Sequence, residues 1–224
     1  ATALTRVNSA RTAYRTINEL MKKPKDRAST ENPLSRPNLN GDIEFKNVNF
    51  RYPKAVEVTI KDLSFKISKG ERVAIVGKMG SGKSTIARLL AGLYEPDSGS
   101  ILIDGVDIRQ IDPADLRRNV GFMLQETWLF SGSIKENIQM GFSEYSDDHL
   151  LKVCSLSGVD DFVKHNPQGY DYQLKERGEG ISGGQRQSIN LARALLHSPS
   201  TLILDEPTSS MDSATEKVIL DNLS

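Results

Sequence analysis

The residues Gly77-Lys78-Met79-Gly80-Ser81-Gly82-Lys83-Ser84 constrain this chain more than any other feature. They match G-x-x-x-x-G-K-[ST], between an apolar run (Val73-Ala74-Ile75-Val76) and an apolar helical pattern from Thr85 to Leu93. Glycines in such a loop let backbone N–H groups turn inward around a phosphate, and the helix that follows adds the positive end of its dipole. Gly77, Gly80, Ser81 and Gly82 shape the cradle. Lys83 is placed to reach the outer phosphates of a nucleotide, and the Ser84 hydroxyl to ligate Mg²⁺, with Thr85 beside it. The apolar run is expected to be a short strand buried on both faces.

Strand and helix signals alternate from Asp42 onward. Ile43, Phe45, Val48, Phe50 and Tyr52 alternate with a slip near Asn47, which predicts a strand with a bulge or turn. A second strand is expected over residues 59–67, closed by Ser68-Lys69-Gly70. Asp104-Gly105 marks a hairpin between Ile101-Leu102-Ile103 and Val106-Asp107-Ile108. Further strands are predicted at 120–124 and 201–204, and helices at 182–196 and 213–220. Residues of roughly 145–180 are more polar and less regular, as in a helical insertion. Strands alternating with helices around a buried, mostly parallel sheet make an α/β domain.

The strand ending in Thr201-Leu202-Ile203-Leu204 runs into Asp205-Glu206-Pro207. A carboxylate at that position, Asp205, can hold Mg²⁺ through water, and Glu206 beside a γ-phosphate can polarise an attacking water. A third element is Ile181-Ser182-Gly183-Gly184-Gln185-Arg186-Gln187, where Ser182 is a good N-cap and Gly183-Gly184 leave backbone amides open to an anion.

Before this domain, Ala3, Val7, Ala10, Tyr14, Ile17 and Met21 form one stripe of a helix that Lys22-Lys23 and Pro24 end. Residues from Pro24 to Asn40 read as a polar linker. The stripe either folds back on the domain or is the tail of a preceding element. The first 40 residues hold eight basic and three acidic side chains, +5, so the neutral whole leaves −5 on the remainder. That acidity argues against nucleic acid as a partner. No apolar run approaches the roughly 20 residues that cross a bilayer, and no leader pattern stands at the start. One cysteine, Cys154, and three histidines exclude a disulfide framework and argue against structural zinc.

The segment from Ile181 to Gln185 resembles the Leu-Ser-Gly-Gly-Gln signature of ATP-binding-cassette (ABC) ATPases, with Ile181 in place of Leu. The rest of that family's pattern follows in order. Tyr52, in Phe50-Arg51-Tyr52-Pro53, resembles the aromatic that stacks on adenine; Gln125 resembles the Q-loop glutamine; Ser209-Ser210-Met211-Asp212 resembles the D-loop. The resemblance covers about residues 42–224. It implies a P-loop NTPase core with an N-terminal antiparallel β subdomain and a helical subdomain near 130–180, in a domain spanning 41–224 whose terminal strands are absent.

The implied cofactors are ATP and Mg²⁺. Glu206, Lys83 and Gln125 would be catalytic, and Ser84, Gln125 and Asp205 would hold the metal. Ser182, Gly183, Gly184 and Gln185 would bind the nucleotide of a second, head-to-tail copy. Residues 112–121 and 176–180 look like those of exporters, and residues 10–24 are similar to the end of the last membrane helix in type I secretion exporters. On that likeness residues 1–40 are the end of a membrane helix plus linker. The whole would be an exporter motor at the cytoplasmic face of the bacterial inner membrane, working with a transmembrane domain of the same chain, a periplasmic adaptor and an outer-membrane channel. An exporter of lipids or small molecules and a non-transport cassette ATPase are the alternatives.

Three features depart from the family. No histidine follows Asp212, where the family has a switch histidine, so weak hydrolysis is expected. Leu124 stands where exporters usually have Pro, and Lys175 where they have Gly. Cys154 and the three histidines are expected to be packing or surface residues.

Overall fold

The alternation that starts at Ile43 folds into an antiparallel sheet. In the computed structural model, which describes residues 2–22, 32–124, 128–140, 145–211 and 213–222, helix α1 (Thr2–Met21) precedes strands β1 (Ile43–Phe50) and β2 (Ile60–Ile67). Helix α2 (Lys83–Leu90) follows, then strands β3 (Ser98–Ile103) and β4 (Val106–Asp107). Helix α3 (Pro113–Asn119) leads into β5 (Val120–Met123), then β6 (Gly132–Ser133) and α4 (Ile134–Gln139). Helices α5 (Asp147–Leu156) and α6 (Val159–Val163), strand β7 (Gln173–Leu174), helix α7 (Gly183–Leu195), strand β8 (Thr201–Leu204) and helix α8 (Ser213–Asn222) complete the order.

The antiparallel sheet is ordered β2-β1-β3-β4. Its register slips twice between Phe45 and Phe50, with Asn47 at φ 46°, so the expected irregularity is present. Phe45 pairs with Phe65 across the ladder, their rings stacked 4.5 Å apart, a cross-strand contact that fixes which face is inward. The inner face meets Leu89 and Leu90 of α2 and Leu116 of α3 in one core. The hairpin turn sits at Asp104-Gly105, both with positive φ, as a two-residue connection requires.

Strands β5 and β8 run parallel, Val120 opposite Thr201 and Met123 opposite Leu204. A third core of Met123, Leu191, Ala194 and Ile219 joins β5 to α7 and α8. The helical insertion has its own core, in which Ile134, Ile138, Val153, Cys154, Val159 and Ile189 are at most 3% exposed. Burial pushes the Cys154 thiol up to about 12, as befits a packed small hydrophobe.

Two local expectations need correction. Residues 71–78 form no strand; Val73 and Ile75 are nearly half exposed, and Val76 is 88% exposed. A strand buried on both faces exists only between neighbours. Among the described residues the parallel sheet is β5 paired with β8 alone, and β8 itself is only partly buried. Residues 32–40, read as linker, are instead docked. Leu34 N donates to Gln110 O, Leu34 O accepts from Asp112 N, and Leu39 is buried with its N–H on Asn119 Oδ1. Asp104 accepts the successive N–H groups of Asn40, Gly41 and Asp42, drawing the strap onto the hairpin. The α1 stripe, by contrast, is uncovered: Val7, Tyr14, Ile17 and Met21 are 60–77% exposed. Among the described residues no helix is long and apolar enough to cross a membrane.

Candidate active site

Helix α2 opens on Gly82, which takes φ 94° and provides no side-chain cap. A Cβ there would meet Ile60 Cδ1 at 2.7 Å, so space and conformation both require glycine. Residues from Gly77 to Ser81 are exposed, and the Lys83 ammonium reaches back over the loop to Gly77 O (2.9 Å) and Lys78 O (3.0 Å). Lys83 therefore folds back on its own loop. Ser84 and the buried Thr85 form the first turn of α2. The first turn of the helix carries no acidic side chain, so its dipole and the lysine act in the same sense on an anion.

Tyr52 is tied to this helix. Its hydroxyl is 3.1 Å from Thr85 Oγ1 and accepts from Arg88 (3.0 Å). Phe50 and Tyr94 meet its ring edge-on, and an open cleft of about 450 Å³ runs from Tyr52 along Pro53, Lys54, Tyr94 and Glu95. The bond from Tyr52 holds the Arg88 guanidinium above its ordinary pKa, and the charge of Asp205 adds to this. Tyr52 and α2 thus form one hydrogen-bonded unit.

Asp205 is placed by the parallel pair. Its N–H donates to Met123 O at 3.0 Å, extending the β5–β8 ladder by one step. Gln125, close after β5 in the chain, and Asp212 lie outside the described residues. Glu206 is exposed and has φ 52°, a left-handed conformation rare for a side chain of this size. Ser84, Gln125 and Asp205 offer oxygen donors, the kind that suits Mg²⁺.

The start of α7 is built differently. Ser182 Oγ accepts from Gln185 N (3.1 Å), and Gln185 Oε1 accepts from Ser182 N (2.9 Å), a reciprocal capping box. The Gln185 side chain is therefore engaged as a cap, a role its spacing from Ser182 could have revealed. Gly183 and Gly184 lie against the Ser210 backbone and side chain, where a Cβ would come within 3.0–3.2 Å. At the far end of the helix, Arg193 donates to Asn137 O (2.8 Å), Trp128 O (2.8 Å) and Asn137 Oδ1 (3.1 Å). Burial pushes this guanidinium down to about 10. Sequence reasoning missed Arg193 and Gln187, a buried side chain in the second turn of α7, because a helix pattern does not reveal what a polar residue faces.

Two of the three histidines pack against the end of α7. His197 Nδ1 bonds the Tyr145 hydroxyl, and His149 Nε2 lies 2.8 Å from Leu196 O, so both pack the end of α7. Lys175 is exposed and 4.0 Å from Glu179.

Comparison with known proteins returns one family model over residues 60–209, that of the ABC transporter. The alpha-hemolysin translocation ATP-binding protein HlyB of Escherichia coli O157:H7 is 42% identical over 208 residues, 93% of this chain and 29% of that protein. The leukotoxin translocation ATP-binding protein LktB of Mannheimia glucosida is 43% identical over 190 residues, 85% of this chain and 27% of its own length. A solved bacterial Atm1-family ABC exporter with ATP bound superposes with a TM-score of 0.78 at 37% identity, covering 87% of this chain and 35% of that one. The chain thus spans about a third or less of each of these relatives.

Proposed function

Because the chain belongs to the ABC transporter family, we propose that it is the ATP-hydrolysing motor domain of an exporter, of the kind that drives a protein or peptide across the bacterial inner membrane. The observation that carries this reading is the 42% identity to HlyB over 93% of the chain, which takes in the phosphate loop, the signature segment and Asp205-Glu206. Each is a region whose local geometry suits its part.

In this reading the loop from Gly77 to Ser84 wraps the β- and γ-phosphates, and Lys83 exchanges its carbonyl partners for phosphate oxygens. Ser84, Gln125 and Asp205 hold the Mg²⁺ that accompanies ATP, and the ion supplies charge neutralisation of the phosphates. Glu206 accepts a hydrogen bond from the attacking water and orients it towards the γ-phosphate. Tyr52 presents its ring to adenine, with Arg88 and Thr85 fixing its hydroxyl end. Ser182, Gly183 and Gly184 close over the nucleotide of a second copy arranged head to tail, and Gln185 stabilises that helix start. Binding of ATP then favours the closed pair, and hydrolysis releases it. The motor works at the cytoplasmic face, joined to a transmembrane domain and served by a periplasmic adaptor and an outer-membrane channel.

Replacing Glu206 by Gln tests the reading. Hydrolysis is expected to fall about 100-fold or more, with ATP affinity retained. With Mg-ATP the variant should sediment as a dimer. A species that stays monomeric at saturating ATP would overturn the two-copy site, and undiminished hydrolysis would overturn the role of Glu206.

A further inference from the structure

The turn that follows β8 is held from an unexpected side. Gln187, in the second turn of α7, is 4% exposed and uses both ends of its amide on that turn. Its Oε1 accepts from Ser210 N at 3.0 Å. Its Nε2 donates to Ser209 Oγ at 2.9 Å and lies 3.5 Å from Glu206 O. A buried amide with donor and acceptor both engaged fixes orientation as well as position, because neither end can be exchanged for the other. No other uncharged side chain of this length supplies both groups.

The segment so held begins at Glu206, whose backbone is in the left-handed region. A side chain there returns to a more favourable conformation unless its surroundings over-determine it. The turn's own backbone bonds are Ser209 N to Glu206 O at 3.4 Å and Met211 N to Thr208 O at 3.0 Å. Thr208 Oγ1 donates to Glu216 of α8, which anchors the outer side. Gln187 anchors the inner side, and it does so from the helix whose first residues, Gly183 and Gly184, lie against Ser210.

We propose that Gln187 is a positioning residue for hydrolysis. It holds the 206–210 turn so that Glu206 keeps its left-handed conformation, and it makes that conformation depend on the seating of α7. A shift of α7 caused by an occupant of its N-terminus moves Gln187 with it, since little more than one turn of a single rigid helix separates Gln187 from Ser182. Competence of Glu206 and closure over the signature segment are then a single mechanical event. The proposal rests on the reading of Glu206 as the residue that orients water.

The test compares Gln187→Met, which keeps length and removes both bonds, with Gln187→Glu, which keeps an acceptor for Ser210 N–H and loses the donor. Hydrolysis is followed as a single turnover, with the chain in excess over Mg-ATP, so that a slow rate still reads out. Affinity for ATP is measured separately by equilibrium binding, and exchange of the Ser210 amide by hydrogen–deuterium labelling. The Met variant should hydrolyse at least 30-fold more slowly, with the ATP Kd within twofold and Ser210 exchange at least tenfold faster. The Glu variant should fall between it and the unsubstituted chain. Should the Met variant fail to fold, the Glu variant decides alone, with a slower turnover at unchanged Kd expected. An unchanged rate in either folded variant overturns the proposal. So does a loss of rate and affinity together with a lowered melting midpoint, the mark of a merely structural residue. Failure of the underlying reading shows separately, as hydrolysis that survives Glu206→Gln.

Discussion

The two glycine-rich helix starts in this chain are held in opposite ways. Helix α2 begins on a left-handed glycine without a side-chain cap, preceded by residues 71–81 that are all exposed. Helix α7 begins with a reciprocal capping box and with two glycines pressed against Ser210. The first is an open helix end, whose backbone donors suit an anion brought to them. The second satisfies its own end and offers a preformed surface. In the proposed function one helix start grips the nucleotide and the other closes upon it. It also separates two kinds of structural information. A capping box is local in sequence, whereas a strand needs neighbours, and the apolar run before α2 forms none.

Lys83 gives the sharpest way to break that contrast. Lys83→Ala removes the side chain that closes the α2 loop, so Mg-ATP binding should weaken by about 3 kcal/mol, or about 100-fold in Kd. Isothermal titration would show it, and unchanged affinity would mean that the loop is not the grip.

The far end of α7 predicts the next effect. Arg193→Met strips the donors from Trp128 O, Asn137 O and Asn137 Oδ1 in a buried setting. A loss of about 2–3 kcal/mol is expected, roughly 5–10 °C in melting midpoint. Calorimetry that found no change would show that α7 is held by its apolar face alone.

Ser182→Ala tests the capped start directly. Loss of the bond to Gln185 N should cost about 1 kcal/mol, a drop of roughly 2–4 °C. A fall in stability with unaltered ATP affinity of the isolated chain would separate the cap from the grip at α2.

The smallest effect concerns pH at the other end of α7. Burial, with Arg118 adding to it, holds the His197 pKa below its ordinary value. The unfolded chain then takes up the proton more readily, so stability is full above about pH 6.5 and declines as pH falls below it. His197→Gln should flatten the part of the melting profile below about pH 6.5. An identical slope in the variant would assign it to other groups.

Much of this architecture is legible in the order of residues alone. The slip at Asn47, the Asp104-Gly105 hairpin, the Ser182 cap and the strand that delivers Asp205 are all written in short-range patterns, because turn chemistry, capping and period-two alternation act over a few residues. Proline and asparagine content makes residues 32–40 read as linker, whereas Leu39 and the three N–H groups that Asp104 gathers dock them on residues 62 to 80 positions away.

The amino-acid sequence by itself determined the family, the nucleotide loop, the acidic pair after β8 and the order of the motifs, since each depends on residue type at fixed spacing. Only the tertiary structure decided that Tyr52 is braced by Thr85 and Arg88, that Arg193 ties α7 to the chain around Trp128 and Asn137, and that Gln187 holds the turn beginning at Glu206. The reason is physical. A polar side chain acts through the partner it meets, and these partners lie on other elements, 19 to 65 residues away, brought within hydrogen-bonding distance only when the cores close.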